Sequence, residues 1–176
     1  MMRPTLILAL LLTSLAPLRA ADAATSPEAK LAALGLKLPA TPAPVANYVS
    51  AVRTGNLVFL AGHISRGEDG KVIAGKAGGD FTTEMAAAAA RQTALALLAT
   101  LKKEIGDLSK VKRIVRVGGF VNCPPDYTEQ PTVMNGCSDL LVAVFGEKGK
   151  HARAALGMVS LHFGAVVEIE MIVEVE

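Results

Sequence analysis

The C-terminal stretch constrains this chain most. Val167, Ile169, Met171, Val173 and Val175 alternate with Glu168, Glu170, Ile172, Glu174 and Glu176. A period of two sorts these residues only if the backbone is extended, with the apolar row on a core and the mostly acidic row on the other face. Any fold for the chain must therefore supply a sheet with one buried side. Just upstream, Arg153 stands isolated among Ala152, Ala154 and Ala155. An arginine at the head of one strand and a carboxylate in the next are candidates to face one cleft.

The N-terminus has a different character. Met1-Met2-Arg3, an apolar run over residues 6–15, Pro17 and the small residues around Ala21 and Ala23 make the three parts of a secretory signal peptide. The apolar run falls short of the ~20 residues that span a bilayer. Residues 1–23 are thus expected to be removed on export, to the periplasm in a bacterium, leaving no membrane segment. Removal takes Arg3, Arg19 and Asp22 and lowers the net charge from +2 to +1.

Residues 24–44 read as a short helix and a linker. Ser26-Pro27-Glu28 supplies a cap, a first-turn proline and an acidic first turn, and Pro39, Pro42 and Pro44 keep the linker extended. The main domain covers residues 45–176. Tyr48–Arg53 and Leu57–Gly62 are expected to pair through a turn at Gly55, and a third short strand is expected at Lys71–Ile73. Asp80 or Thr82 then caps a long helix to Ile105, with Ala90, Ala94, Leu97, Leu98 and Leu101 on its core face. Beyond it lie a strand over residues 111–122, a proline-rich loop, a helix over 132–145 and strands over 154–160 and 166–175. The order β-β-β-α-β-α-β-β describes an α+β domain: one mixed, mainly antiparallel sheet covered on one face by two helices. With aromatic residues at 4% and no Trp, the natural cover for the second face is another copy of the chain.

Charge and spacing narrow the function classes. The densest basic cluster, Lys110, Lys112, Arg113 and Arg116, is interrupted by apolar residues and reads as one strand with a solvated face, so no nucleic-acid partner is expected. His63, His151 and His162 are scattered and no Cys-x-x-Cys occurs, so no metal site is expected. The loop Gly75–Gly79 lacks the Lys-Ser/Thr ending of a phosphate loop. Cys123 and Cys137 form either a disulfide in an oxidising compartment or two lone thiols.

Three segments together resemble the YjgF/YER057c/UK114 family, also called the RidA or reactive-intermediate deaminase family. They are Tyr48-Val-Ser-Ala-Val-Arg53 with residues 55–62, Phe145 to Arg153, and Gly164 to Glu170. The insert from Gly119 to Gly136 looks like a branch of that family labelled endoribonuclease. The resemblance implies a chorismate-mutase-like fold, a homotrimer with clefts between subunits, and no cofactor. It implies that Arg153 binds a substrate carboxylate and that Glu168 positions or activates a water. Tyr48 matches a tyrosine lining the cleft, Gly62 a glycine whose backbone approaches the ligand, and Asn135 lies near a family asparagine. From the residues alone, Glu168 is equally one of four glutamates on a wet row, and Tyr48 an amphipathic strand residue. The chain departs from the pattern at Ala61, where a serine is usual, at His63, where glutamine is common, and at Ala155, where some members carry cysteine. His63 is either a titratable group at the cleft or a structural histidine.

Three functions are consistent with this reading. The first is hydrolysis of small 2-imino or enamino acids to 2-keto acids and ammonia in the intersubunit cleft. The second is non-catalytic binding of a small carboxylate. The third is RNA cleavage, which has no basic channel, aromatic row or histidine pair behind it.

Overall fold

A computed structural model of the protein describes residues 26–41 and 46–176. The leader expected over residues 1–23 lies outside the described residues, as does part of the proline-rich linker. The elements are α1 (Pro27–Ala33), β1 (Ala51–Thr54), β2 (Leu57–Ile64), α2 (Thr83–Ile105), β3 (Val111–Asn122), α3 (Gln130–Phe145), β4 (Ala152–Met158) and β5 (Val167–Val175). The strands form one sheet in the order β1-β2-β5-β3-β4, antiparallel throughout except for the parallel pair β3–β4. A parallel pair needs a crossover, and α3 supplies it.

The acidic alternation places β5 at the centre of the sheet. Its odd-numbered residues from Val167 to Val175 are buried and its even-numbered ones only partly so. The buried row packs under α2 and α3 against Leu97, Leu98, Leu101, Leu140 and Leu141. Burying side chains of this size contributes about 2 kcal/mol each, so this layer is the main source of stability. Thr82 caps α2 by accepting from the Met85 amide at 3.2 Å, and Gly106 ends it at φ 82°. The alanine run of α2 serves close approach to α3. A Cβ on Gly136 would collide with the Ala87 carbonyl, so the two helix backbones are in direct contact there.

Among the described residues the opposite face of the sheet carries no helix. Arg113 pairs with Glu174 at 2.9 Å and Arg116 with Glu170 at 2.8 Å across β3–β5, while Val52 and Phe59 stand exposed beside them. The two arginines of the basic cluster are therefore matched by the acidic row of β5.

The third strand expected at Lys71–Ile73 does not form. Val72 makes one isolated bridge to Arg66 and Ala74 another to Ala165. Four residues between Gly70 and Gly75 are too few for a ladder, and the segment instead ties the end of β2 to the start of β5: the Ile73 amide donates to the Ser65 carbonyl and the Ile73 carbonyl accepts from the Val166 amide, each at 3.0 Å. Helix α3 starts at Gln130, two residues earlier than its hydroxyl-bearing Thr132 suggests, without a side-chain cap. Helix α1 packs by Leu31, and Glu28 accepts from the Leu108 amide at 3.0 Å.

Candidate functional site

Register decides which face each candidate side chain occupies. Arg153 lies opposite Val117, a fully buried core residue, so it points to the helix side of the sheet. There its Nη1 donates to Asn135 Oδ1 at 2.9 Å and to Ser138 Oγ at 3.0 Å, both on α3. The chain of hydrogen bonds continues to His151. The Gly149 carbonyl can only accept, so His151 Nδ1 carries the proton and donates to it at 2.7 Å. His151 Nε2 is then an acceptor for the Ser138 hydroxyl at 3.1 Å, which leaves a Ser138 lone pair for Arg153. Burial holds the His151 pKa below its ordinary value, with the Arg153 charge acting in the same direction against the Gly149 hydrogen bond, so the ring is neutral at pH 7. The His151 tautomer and the Ser138 hydroxyl proton are thereby fixed. Asn135, expected near the ligand, holds the arginine.

Glu168 lies on the other face, between Phe120 of β3 and Ile64 of β2. Within one chain, then, Arg153 and Glu168 sit on opposite sides of the sheet and do not share a cleft. Glu168 has room because of Gly62, where an added methyl would collide with its carboxylate. Gly62 sits in a β-bulge between Leu60 and His63, where β2 has one more residue than β5. The glycine matching the family's ligand-approach position thus makes space for a carboxylate of its own chain.

A cavity of about 270 Å³ opens at this end, lined by Tyr48, Gly62, His63, Thr93, His162 and Phe163 among others. Pro39 and Ala40 of the N-terminal segment also border it. His63 reaches it with both ring nitrogens engaged: Nδ1 donates to the Ala61 carbonyl and Nε2 accepts from the Thr100 hydroxyl of α2, each at 2.8 Å. Burial lowers its pKa, outweighing the Ala61 hydrogen bond and the Glu168 charge, so His63 is a neutral strut pinning the bulge to α2. His162 Nδ1 lies 3.4 Å from Glu168 Oε2. It sits on a short turn whose next residue, Phe163, has φ 56°. A left-handed non-glycine residue costs about 1–2 kcal/mol, so the surrounding structure enforces this turn.

Cys123 and Cys137 are buried free thiols. Burial pushes the Cys137 thiol up to about 12 despite the Arg153 charge, so it is not a nucleophile at neutral pH. Among the described residues no group of three or more His, Cys, Asp or Glu is placed to hold a metal ion.

The family described as "YjgF/chorismate_mutase-like, putative endoribonuclease" matches residues 28–174. The chain belongs to that family. It is 44% identical over 147 residues to Protein TCP17 of Trypanosoma cruzi, covering 83% of this chain and 92% of that protein. The crystal structure of Atu1372 from Agrobacterium tumefaciens, a protein of unknown function, is similar at TM-score 0.81 and 40% identity, over 90% of this chain and 99% of that one. A Shewanella oneidensis protein described as "a putative endoribonuclease" superposes at TM-score 0.82 with 32% identity, over 85% and 99% of the two chains. The α+β YjgF-like fold expected from the sequence is the one found.

Ser138, His151 and His162 are the residues the sequence reading missed. His151 is two residues before Arg153, just ahead of β4, and Ser138 is one helical turn from Asn135, so the two periods could have found them. Nothing in the sequence marks His162, because its approach to Glu168 depends on the Phe163 turn.

Proposed function

We propose that this YjgF-family protein is exported, self-associates, and binds small carboxylate metabolites in a cleft between copies, where it hydrolyses 2-imino and enamino acids to 2-keto acids and ammonia. The observation that carries this reading is the state of Arg153. Only Nη1 is tied to the protein, and no carboxylate pairs with the guanidinium among the described residues. The Nε/Nη2 edge is left to engage a planar carboxylate through two parallel hydrogen bonds. Because Glu168 faces the other side of the sheet, a second copy is needed to set a carboxylate opposite Arg153. The sheet face opposite α2 and α3, with Val52, Phe59 and Leu156 exposed, is a surface such a copy would cover.

The charge arrangement favours this reading over an RNA substrate. Arg113 and Arg116 are each paired with a glutamate rather than lining a basic groove. Ala61, without the hydroxyl usual at that position, gives support to binding without catalysis, and one experiment separates the two. Thermal shift against a panel of small carboxylates and keto-acid release from an imine generated in situ by an amino-acid oxidase are measured on the mature protein, Arg153→Ala and Glu168→Gln. Arg153→Ala is expected to weaken binding about 10- to 100-fold, from ~1.5–3 kcal/mol of charge-assisted hydrogen bonding, and to lose release. Glu168→Gln is expected to bind normally and release no faster than buffer. Wild-type binding without release selects the binding-only reading, and no stabilisation by any carboxylate overturns both. The mature N-terminus is expected at Ala24; intact Met1 or Met2 would overturn export.

A further inference from the structure

We propose that His162 is the proton donor that works opposite Glu168 at this cavity, an assignment that rests on the imine-hydrolysis reading above. Hydrolysis of a C=N bond needs one group to take a proton from water and another to give one to nitrogen. In the addition step Glu168 supplies the first. The groups around it narrow the choice for the second. His63 from β2 has both ring nitrogens engaged. Arg66, from the loop after β2, does not give up its proton at any working pH. Glu68 in the same loop duplicates the role of Glu168, and among the described residues no contact places the Tyr48 hydroxyl beside it. His162 remains, lining the same cavity with its Nδ1 at 3.4 Å from Glu168 Oε2 and its side chain half-exposed.

The backbone holds it there. The His162 carbonyl accepts from the Ala165 amide at 3.2 Å, and the Gly164 carbonyl accepts from the Gly75 amide at 2.9 Å. Phe163 completes the turn at φ 56° and its ring stands edge-on to the imidazole, 5.3 Å between centroids. An enforced, locally unfavourable turn that delivers a histidine to a carboxylate is the kind of geometry that accompanies function.

In the addition step, water oxygen bonds to the imine carbon and its proton passes to the Glu168 carboxylate. The C=N electron pair moves to nitrogen, which takes a proton from the His162 imidazolium. The carbinolamine nitrogen then takes the proton held by Glu168, the C–N bond breaks with its electrons leaving on ammonia, and the hydroxyl proton returns to His162. Both side chains end in their starting states, with one imine and one water converted to one keto acid and one ammonia.

The test compares wild type with His162→Asn, whose amide keeps a polar group near Glu168 but does not titrate. Keto-acid release is followed across pH 5–9, with size exclusion and thermal unfolding confirming intact assemblies. The expected result is at least a 10-fold fall in kcat at nearly unchanged KM, with loss of the alkaline limb of the wild-type profile. An active wild type matched by His162→Asn in both kcat and alkaline limb overturns the role while leaving imine hydrolysis standing. A wild type no faster than buffer overturns the hydrolysis reading and the role together.

Discussion

The two ends of the candidate site are built on opposite plans. The arginine end is on the helix side of the sheet. Asn135, Ser138, His151 and the Gly149 carbonyl form a continuous, neutral hydrogen-bond chain behind a single cation. The Glu168 end is on the bare side, where a bulge, a glycine and a left-handed turn make space for a carboxylate and an imidazole. One end fixes geometry and leaves little to titrate. The other concentrates titratable groups and has backbone irregularity in place of a hydrogen-bond scaffold. On the proposed function, recognition sits on the helix side and proton transfer on the bare side, and a second copy brings the two together.

The sharpest way to break this contrast is Gly62→Ala. The new methyl displaces the Glu168 carboxylate, which can swing away as the far end of a flexible side chain. Keto-acid release is expected to fall about 10-fold or more, the scale of a lost acid–base contact, with carboxylate affinity and melting temperature nearly unchanged. A parallel loss of affinity would show that the ends are not separable. A smaller effect is expected at the arginine end. Ser138→Ala removes one of the two holders of Nη1, worth about 1 kcal/mol, and should weaken carboxylate binding about 5-fold by calorimetry. The kcat at saturating substrate should not move.

The smallest effect is on stability. The pKa of His63 is lowered in the folded protein, so the unfolded chain binds the extra proton first as pH falls. Its contribution is complete above the ordinary histidine value of about 6.5 and is lost as pH drops from there through the folded pKa. His151 acts in the same direction. Melting temperature should therefore fall between about pH 7 and 5, and His63→Gln should flatten that slope, with the gap to wild type largest at the alkaline end. An unchanged slope would mean that His63 is not the neutral strut its bonds describe.

Local chemistry accounts for what could be read in advance. The alternation of β5, the Thr82 cap, the Gly106 stop and the turn at Gly55 each reflect a rule acting within a few residues, and each is found. The third strand failed because each neighbour meets the segment at a single residue, Val72 bridging Arg66 and Ala74 bridging Ala165, and single bridges do not make a ladder. The face taken by Arg153 was also hidden. Its strand, Ala152–Met158, has small residues on both rows and is exposed at both ends, so no alternation gives the orientation away. Only the parallel register with β3 sets it, and that depends on where α3 returns the chain. Glu168 showed its face in the sequence but not its neighbour, since His162 arrives by a turn that no residue type demands.

The β3–α3–β4 crossover has a consequence for how the molecule assembles. Asn135 and Ser138 are 18 and 15 residues from Arg153, all within residues 111–158. The bulged end of β2 instead meets the start of β5 through pairs such as Ser65 with Val166, 101 residues apart. Loop-closure entropy grows with the logarithm of length, so bringing these ends together costs roughly 1.7 kcal/mol more than closing the arginine corner. The Arg153 corner is thus a property of one contiguous stretch of chain. The Glu168 corner exists only once β2 and β5 have met.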